Sequence, residues 1–274
     1  MRLLTTGLIG AIAVTIITGT AVPANAAKKC GNDSSGFNAW VAEFRKEAMA
    51  NGIRKQTLDE AFAGMKYATS TIRLDRNQKS FKLSFDQFMK KRGAATIVKQ
   101  GKRHKKNNAQ ALARIEARYG VPAGPLIAIW GMETAFGRFS GDKPIFPALA
   151  TLAYDCRRSA LFEKQLYGAL KILQSRQLSK SKMRGAGHGE LGQMQFLPAN
   201  YIKYGVDGDG DGRVDMVNSH IDGLASTANY LKAYGWRRGA GYQPGEPNFR
   251  AIQGWNKAGV YQKAIASIGK SIDG

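Results

Sequence analysis

The sequence predicts a mainly α fold, and three observations carry that expectation. Apolar residues recur at helical spacing in nearly every long segment. Gly or Asn follows several of these stripes, where a helix should stop. No segment alternates apolar and polar residues with the period of two that a half-buried strand needs.

The elements follow in order. Phe37, Trp40, Val41, Phe44 and Ala48 form one stripe, and Asn51-Gly52 is its stop. Thr57-Leu58-Asp59-Glu60 reads as a capping box leading into Ala61 and Phe62. Phe81, Phe85 and Phe88 come next at helical spacing. The densest basic cluster, Lys99 to Lys106, reads either as a solvated loop or as a binding patch. Leu112, Ile115 and Tyr119 mark another helix, closed by Gly120. Pro125 can open the apolar run that ends at Glu133. Ser159 reads as the cap of a helix carrying Leu161, Leu166, Leu170 and Leu173. Ile221, Leu224, Ala228 and Leu231 mark one more, ended by Gly235. A final segment carries Phe249, Ile252, Trp255, Tyr261, Ile265 and Ile268. Residues 175–189 and 237–247 read as Gly-, Ser- and Lys-rich connections.

The first 26 residues read as an export signal. Arg2 supplies the charge, Leu3 to Ile17 the apolar stretch, and Ala24-Asn25-Ala26 the cleavage site. An uncleaved anchor is the alternative, but the stretch is short for a membrane span. The expectation is a periplasmic protein, free of a transmembrane anchor after cleavage. Residues 27–274 then form a single domain, with an N-terminal helical part over 37–120 and a catalytic core over 121–274. In an oxidising compartment Cys30 and Cys156, the two cysteines of the chain, read as one disulfide; two free thiols are the alternative.

The formal charge of +21 becomes +20 without Arg2, the one charge in the signal. This balance calls for an anionic partner. For an exported chain nucleic acid is a poor candidate, and anionic cell wall or a membrane surface fits better.

Three segments carry chemistry. Glu133 ends the run Pro125-Leu126-Ile127-Ala128-Ile129-Trp130-Gly131-Met132. A helix apolar on nearly every side is buried, and burial favours the neutral carboxyl, as a general acid needs. The bland alternative is a Glu at a helix end paired with Arg138. Second, Gly189 to Pro198 is a Gly-rich stretch around Gln195, whose neutral amide both donates and accepts, as sugar hydroxyls and acetamido groups require. A turn with a surface Gln is the alternative. Third, Asp207, Asp209 and Asp211, the carbonyl of Arg213, and Asp215 match the opening of a calcium loop with Gly212 at its sixth position. Asn218 stands where a bidentate Glu is usual, so Asp222 is the candidate to close the site. A metal-free Asp/Gly turn is the alternative, and no cofactor is expected for the chemistry itself.

Glu133-Thr134-x-x-Gly137, Gly192-x-x-Gln195-Phe196-x-Pro198 and the Asp-Gly repeat at 207–212 occur in that order. Asn229-Tyr230-Leu231, Gly235-Trp236, Trp255-Asn256 and Tyr261 follow. Together they resemble the lytic murein transglycosylase B family, over roughly Phe37 to Ile268. The resemblance implies a lysozyme-like α domain with additional helices and an EF-hand-like loop binding structural Ca²⁺. It implies cleavage of peptidoglycan glycan strands between N-acetylmuramic acid and N-acetylglucosamine, leaving 1,6-anhydro ends. Glu133 would be the single acid/base. Gln195, Asn229, Tyr230, Trp255, Asn256 and Tyr261 would contact substrate. The chain departs from the family where a serine-containing stretch gives way to Ala186-Gly187-His188-Gly189-Glu190. Glu190 is then either a surface residue or a second carboxylate in the site. A muramidase in which Glu190 or Asp142 assists water, and a non-catalytic wall-binding protein, are the rival readings.

Overall fold

The computed structural model describes residues 30–77 and 83–274. The export-signal segment and Phe81 lie outside the described residues. Thirteen α-helices occur among the described residues. They are α1 (Phe37–Ala50), α2 (Lys55–Phe62), α3 (Thr69–Arg76), α4 (Phe85–Arg92), α5 (Ala94–Asn107), α6 (Ala109–Tyr119) and α7 (Ala123–Thr134). Then come α8 (Ile145–Tyr154), α9 (Ser159–Gln174), α10 (Pro198–Tyr204), α11 (His220–Ala233), α12 (Phe249–Trp255) and α13 (Gly259–Asp273). Two two-residue strands, β1 (Lys143–Pro144) and β2 (Arg184–Gly185), pair antiparallel. No helix among the described residues is long and apolar enough to cross a membrane.

The core is organised around α7. From Leu126 to Trp130 it has no polar face to give to water, so the other helices enclose it. Leu126, Ile127, Ala128 and Ile129 are all essentially inaccessible. Each such aliphatic side chain larger than Ala contributes roughly 1.5–3 kcal/mol. α13 and α5 lie against α7, and α13 also contacts α5, α12 and α4. The ends of this packing are tied by charge. Asp273 accepts a hydrogen bond from the Gly124 N–H at 2.8 Å, a carboxylate at the positive start of α7. Lys105 donates to the carbonyls of Ile272 (3.2 Å) and Asp273 (3.0 Å) at the negative end of α13.

Local differences from the sequence reading have simple causes. Thr57 lies inside α2, not at its cap; the first turn is held by Arg54 N–H donating to Gln174 Oε1 at 2.7 Å. The capping box is instead Ser84 with Gln87, at the start of α4. Ser159 begins α9, but its hydroxyl donates to the Ala153 carbonyl and caps nothing. The basic cluster is the second half of α5, not a loop, and its Lys105 is committed to α13. The C-terminal segment divides into α12 and α13 at Asn256-Lys257-Ala258.

Cys30 and Cys156 form a disulfide across 126 residues of chain, with Cα atoms 4.9 Å apart. It fixes the N-terminal arm beside Asp155, which accepts a hydrogen bond from Arg76 on α3 at 2.7 Å. Closing so long a loop restricts the unfolded chain, an effect of about 2–4 kcal/mol. The Cys30→Ser, Cys156→Ser variant is therefore expected to unfold at a clearly lower urea concentration, with a steeper slope because its unfolded chain exposes more surface. A midpoint equal to the parent's would show that the crosslink contributes nothing.

Candidate active site

Glu133 occupies the last turn of α7, and the sequence after it turns the chain sharply. Ala135 and Phe136 both adopt left-handed backbone, at φ 48° and 63°. Non-glycine residues avoid this region, at a cost of order 1–3 kcal/mol each. Phe136 is kept there by stacking on His104 (4.5 Å) and by its edge contact with Trp130 (5.3 Å). Gly137 follows at φ 82°, and a Cβ there would lie 2.5 Å from Gln193 Oε1. Only glycine meets both conditions. Thr134 joins the two motifs: its hydroxyl donates to the Gln193 carbonyl at 2.7 Å and accepts from the Gly137 N–H at 2.9 Å. Trp130 Nε1 donates to Gln193 Oε1 at 3.1 Å, so Gln193 is fixed from two sides.

The Glu133 carboxyl is held through a single oxygen. Tyr261 of α13 donates its O–H to Oε1 at 2.7 Å, and Trp255 of α12 donates Nε1–H to the same atom at 3.0 Å. Trp255 is fixed edge-on between Phe196 (5.2 Å) and Tyr230 (5.1 Å), and Tyr230 donates to the Gly254 carbonyl at 2.8 Å. Arg92 of α4 lies over the Tyr261 ring, 5.6 Å from its centre. Burial pushes the Glu133 carboxyl above the ordinary carboxylate range. The bonds from Tyr261 and Trp255 and the charge of Arg92 oppose that shift, and the charge of Glu190 adds to it. Burial beside Glu133 holds the Tyr261 phenol well above its usual value, so Tyr261 stays a donor. Arg138 does not pair with Glu133; it donates to the Ala135 carbonyl and to Gln100.

Glu133 opens onto a cleft of about 320 Å³, which Glu190, Gln195, Tyr230, Trp255 and Asn256 also line. Gln195 is in left-handed backbone at φ 52°. Its amide N–H₂ donates to the carbonyls of Ser140 (3.0 Å) and Gly192 (2.8 Å), which leaves its Oε1 as an acceptor for a ligand. The turn that presents it needs Gly192, at φ 74°, because a Cβ there would lie 2.3 Å from the Met216 carbonyl oxygen. Glu190 is reached from behind. The His188 N–H donates to its Oε2 at 3.1 Å, and the His188 ring lies 3.7 Å from both Glu190 and the buried Asp75. Asp75 is gripped in turn by Arg157 and Arg158, next to Cys156.

Two expected substrate contacts are placed elsewhere. Asn229 points its amide at the Tyr204 carbonyl (3.0 Å) and does not line the cleft. Tyr261 is buried behind Glu133 and meets the carboxyl, not the open cleft. Asp142 is exposed and outside the cleft lining. Asn200 and Ala186 line the cleft unannounced, because nothing in their local sequence separates them from ordinary helix-start and loop residues. Arg92 is missed for the same reason: it reads as the basic end of α4.

The Asp-Gly loop gathers carboxylate oxygens of Asp207, Asp209 and Asp211 within 4.8 Å of one another. Asp222 is buried and closes the loop by other means: it accepts from the N–H groups of Gly208 (2.8 Å), Asp209 (3.3 Å) and Asp215 (2.8 Å). Asp215 accepts from the N–H groups of Val217 and Asn218. Arg213 donates its N–H to Asp211.

The comparisons agree with this geometry. The profile of the Transglycosylase SLT domain family matches residues 36–244. The Escherichia coli membrane-bound lytic murein transglycosylase B is 33% identical over 72% of this chain. The chain spans 59% of that relative's length. The crystal structure of SltB3 from Pseudomonas aeruginosa in complex with NAG-anhNAM-pentapeptide is 33% identical, with a TM-score of 0.80 over 87% of this chain and 80% of that one. The Escherichia coli lytic transglycosylase Slt35 in complex with calcium is 25% identical, with a TM-score of 0.77 over 90% of this chain and 96% of that one. With the domain profile spanning most of the chain and the fold shared throughout, this protein belongs to the Transglycosylase SLT domain family.

Proposed function

We propose that the chain is a peptidoglycan lytic transglycosylase in which Glu133 is both general acid and general base. The observation that carries this reading is the asymmetric grip on Glu133. A protonated carboxyl that accepts two hydrogen bonds at Oε1 keeps its proton on Oε2. That proton is available to the glycosidic oxygen of a strand in the cleft. As the bond to the muramic acid C1 breaks, the sugar's own acetamido group stabilises the developing positive charge. Glu133, now ionised and still held by Trp255 and Tyr261, takes the proton of the muramic C6 hydroxyl. That oxygen attacks C1 within the same ring and closes the 1,6-anhydro bridge, consuming no water. Acid/base assistance of this kind is worth about 10² to 10⁴-fold, and internal attack gains further from proximity. The bound anhydro sugar of SltB3 supports this product type. Gln195, Tyr230, Trp255 and Asn256 line the path of the strand; Tyr261 positions Glu133.

Hydrolysis is the second reading, because Glu190 also lines the cleft. Its carboxylate is tied to the His188 N–H, and the route of an attacking water through it would need that tie to loosen. Export to the periplasm is supported by the residues around Arg2, the A-x-A site and the disulfide. The Asp-Gly loop suits a hard cation: its donors are all oxygen, and three carboxylates this close repel one another without one. We read it as a structural Ca²⁺ site held by Asp207, Asp209 and Asp211, with Asp222 bracing the loop against α11. The calcium-bound Slt35 relative supports that reading.

Glu133→Gln is expected to abolish release of muropeptides from sacculi while keeping the fold. Because burial raises the folded-state pKa, ionisation of Glu133 costs stability as pH rises through that value. The variant should therefore melt at or above the parent temperature at neutral pH, with the gap closing below about pH 4, where the unfolded carboxyl is also protonated. Cleavage at the parent rate by this variant would remove Glu133 from the chemistry.

Tyr261→Phe deletes a bond that favours ionised Glu133, so the carboxyl pKa rises further. The free enzyme must carry the proton, so kcat/KM falls as pH rises through that pKa. The alkaline limb should thus move to higher pH while the maximum rate drops. A limb that stays in place would mean another group controls it.

Calcium bound only by the folded chain raises its melting temperature with occupancy. Chelation should lower the melt, and Asp209→Ala should abolish the response. Identical melts in chelator and in millimolar calcium would leave the loop a metal-free turn.

A further inference from the structure

Beside the cleft lies a second cavity, of about 760 Å³, with a different chemistry. It is bounded by Tyr234 and Gly235 at the end of α11, by Arg250, Gln253 and Gly254 of α12, and by Arg237 and Lys257. Three cations converge on it, and its lining contains no acid. None of Arg237, Arg250 and Lys257 forms an ion pair among the described residues. All three side chains are exposed, and no carboxylate shares the lining with them. Its volume lies within the roughly 300–1,000 Å³ of small-ligand sites.

This alcove and the cleft are two sides of one wall. Tyr230 faces the cleft, and Tyr234, one turn later at the C-cap of α11, faces the alcove; their rings stack at 4.4 Å and 15°. Tyr230 donates to the carbonyl of Gly254, an alcove residue, while the next two residues, Trp255 and Asn256, line the cleft. Lys257 then lines the alcove again. The two spaces are thus one pair of stacked rings apart, a span that an extended stem of a few residues, at about 3.3 Å each, can cover.

We infer that the alcove binds the carboxylates of the peptide stems carried by the glycan strand, so that Arg237, Arg250 and Lys257 select peptide-bearing over bare strands. This rests on the proposed reading of the cleft as a glycan site. The arginine guanidinium groups match carboxylates in a bidentate fork. Tyr234, exposed by 41%, gives the peptide an aromatic surface to lie on, and the Gln253 amide can pair with its backbone. The common wall argues for a ligand attached to the strand and against a free anionic polymer.

The test is the Arg237→Gln, Arg250→Gln, Lys257→Gln variant, with glycan strands that either keep their stems or have been stripped by an amidase. On stem-bearing strands kcat/KM should fall at least fivefold, through KM, and the loss should be erased at high salt. On stripped strands it should stay within twofold of the parent. Equal changes on both substrates, or none on stem-bearing strands, would overturn the inference. So would a loss that survives stripping but disappears when phosphate-containing polymers are removed. The Arg237→Lys, Arg250→Lys variant, with Lys257 kept, should restore part of the preference. The same substitutions in a Glu133→Gln background read binding without chemistry. There, a fivefold loss of affinity confined to stem-bearing strands supports the alcove even if the parent proves not to cleave. An affinity indifferent to stems rejects the alcove even if it does.

Discussion

The structure depends on one carboxyl group that is largely withdrawn from water and yet held. Removing water from around Glu133 favours the neutral acid, while Trp255, Tyr261 and Arg92 favour the anion. Neither influence alone would let one group give up a proton and then recover it, as the proposed chemistry asks. Burial without the two donors would push the carboxyl further toward its neutral form. Donors without burial would leave an ordinary anion, unable to donate at neutral pH. Because both donors reach the same oxygen, the opposition also fixes geometry: one oxygen belongs to the protein and the other to the ligand.

Much of the fold can be understood as support for that arrangement. α7 must be enclosed on all sides, and enclosing it brings α13, with Tyr261, against the end that carries Glu133. α12 delivers Trp255, and the aromatic contacts of Phe196 and Tyr230 stop its indole from turning away. The strained turn at Ala135 and Phe136, sealed by Thr134, Gly137 and Gln193, brings the Gly192–Gln195 turn against the same helix end. The cost of several non-glycine residues in left-handed backbone is concentrated where position matters most. The Asp-Gly loop connects to this framework through Ser219 and Asp222 at the head of α11, the helix that ends beside the cleft in Tyr230 and Tyr234.

The sequence made the helices legible wherever an amphipathic stripe met a glycine or asparagine stop, as in α1 and α6. It misled where a capping pattern lay by chance inside a helix, as at Thr57, since tertiary contacts to Gln174 set the true start. Glu133 stood out because a carboxylate at the end of so apolar a run demands an explanation. Gln195 and the acidic loop were legible through their glycines. What the sequence could not show is which groups share an atom. Tyr261 and Trp255 were identified as site residues by resemblance, but that both donate to Oε1 is a fact of three helices meeting. Nor could it show that the Asn229 amide donates to the Tyr204 carbonyl, since that depends on how its helix is turned. Arg92, Asn200 and the alcove cations were silent, since a lone Arg or Asn on a polar helix face has the same local pattern whether or not a site forms beside it.

In the proposed reaction one carboxyl works twice and no water enters the bond. Digestion of sacculi in heavy-oxygen water, followed by mass spectrometry of the released ends, tests it most directly. The released ends should be anhydro-muramic, one water lighter than reducing ends and free of the heavy isotope. Reducing ends carrying the isotope as the main product would contradict it and assign the bond cleavage to hydrolysis.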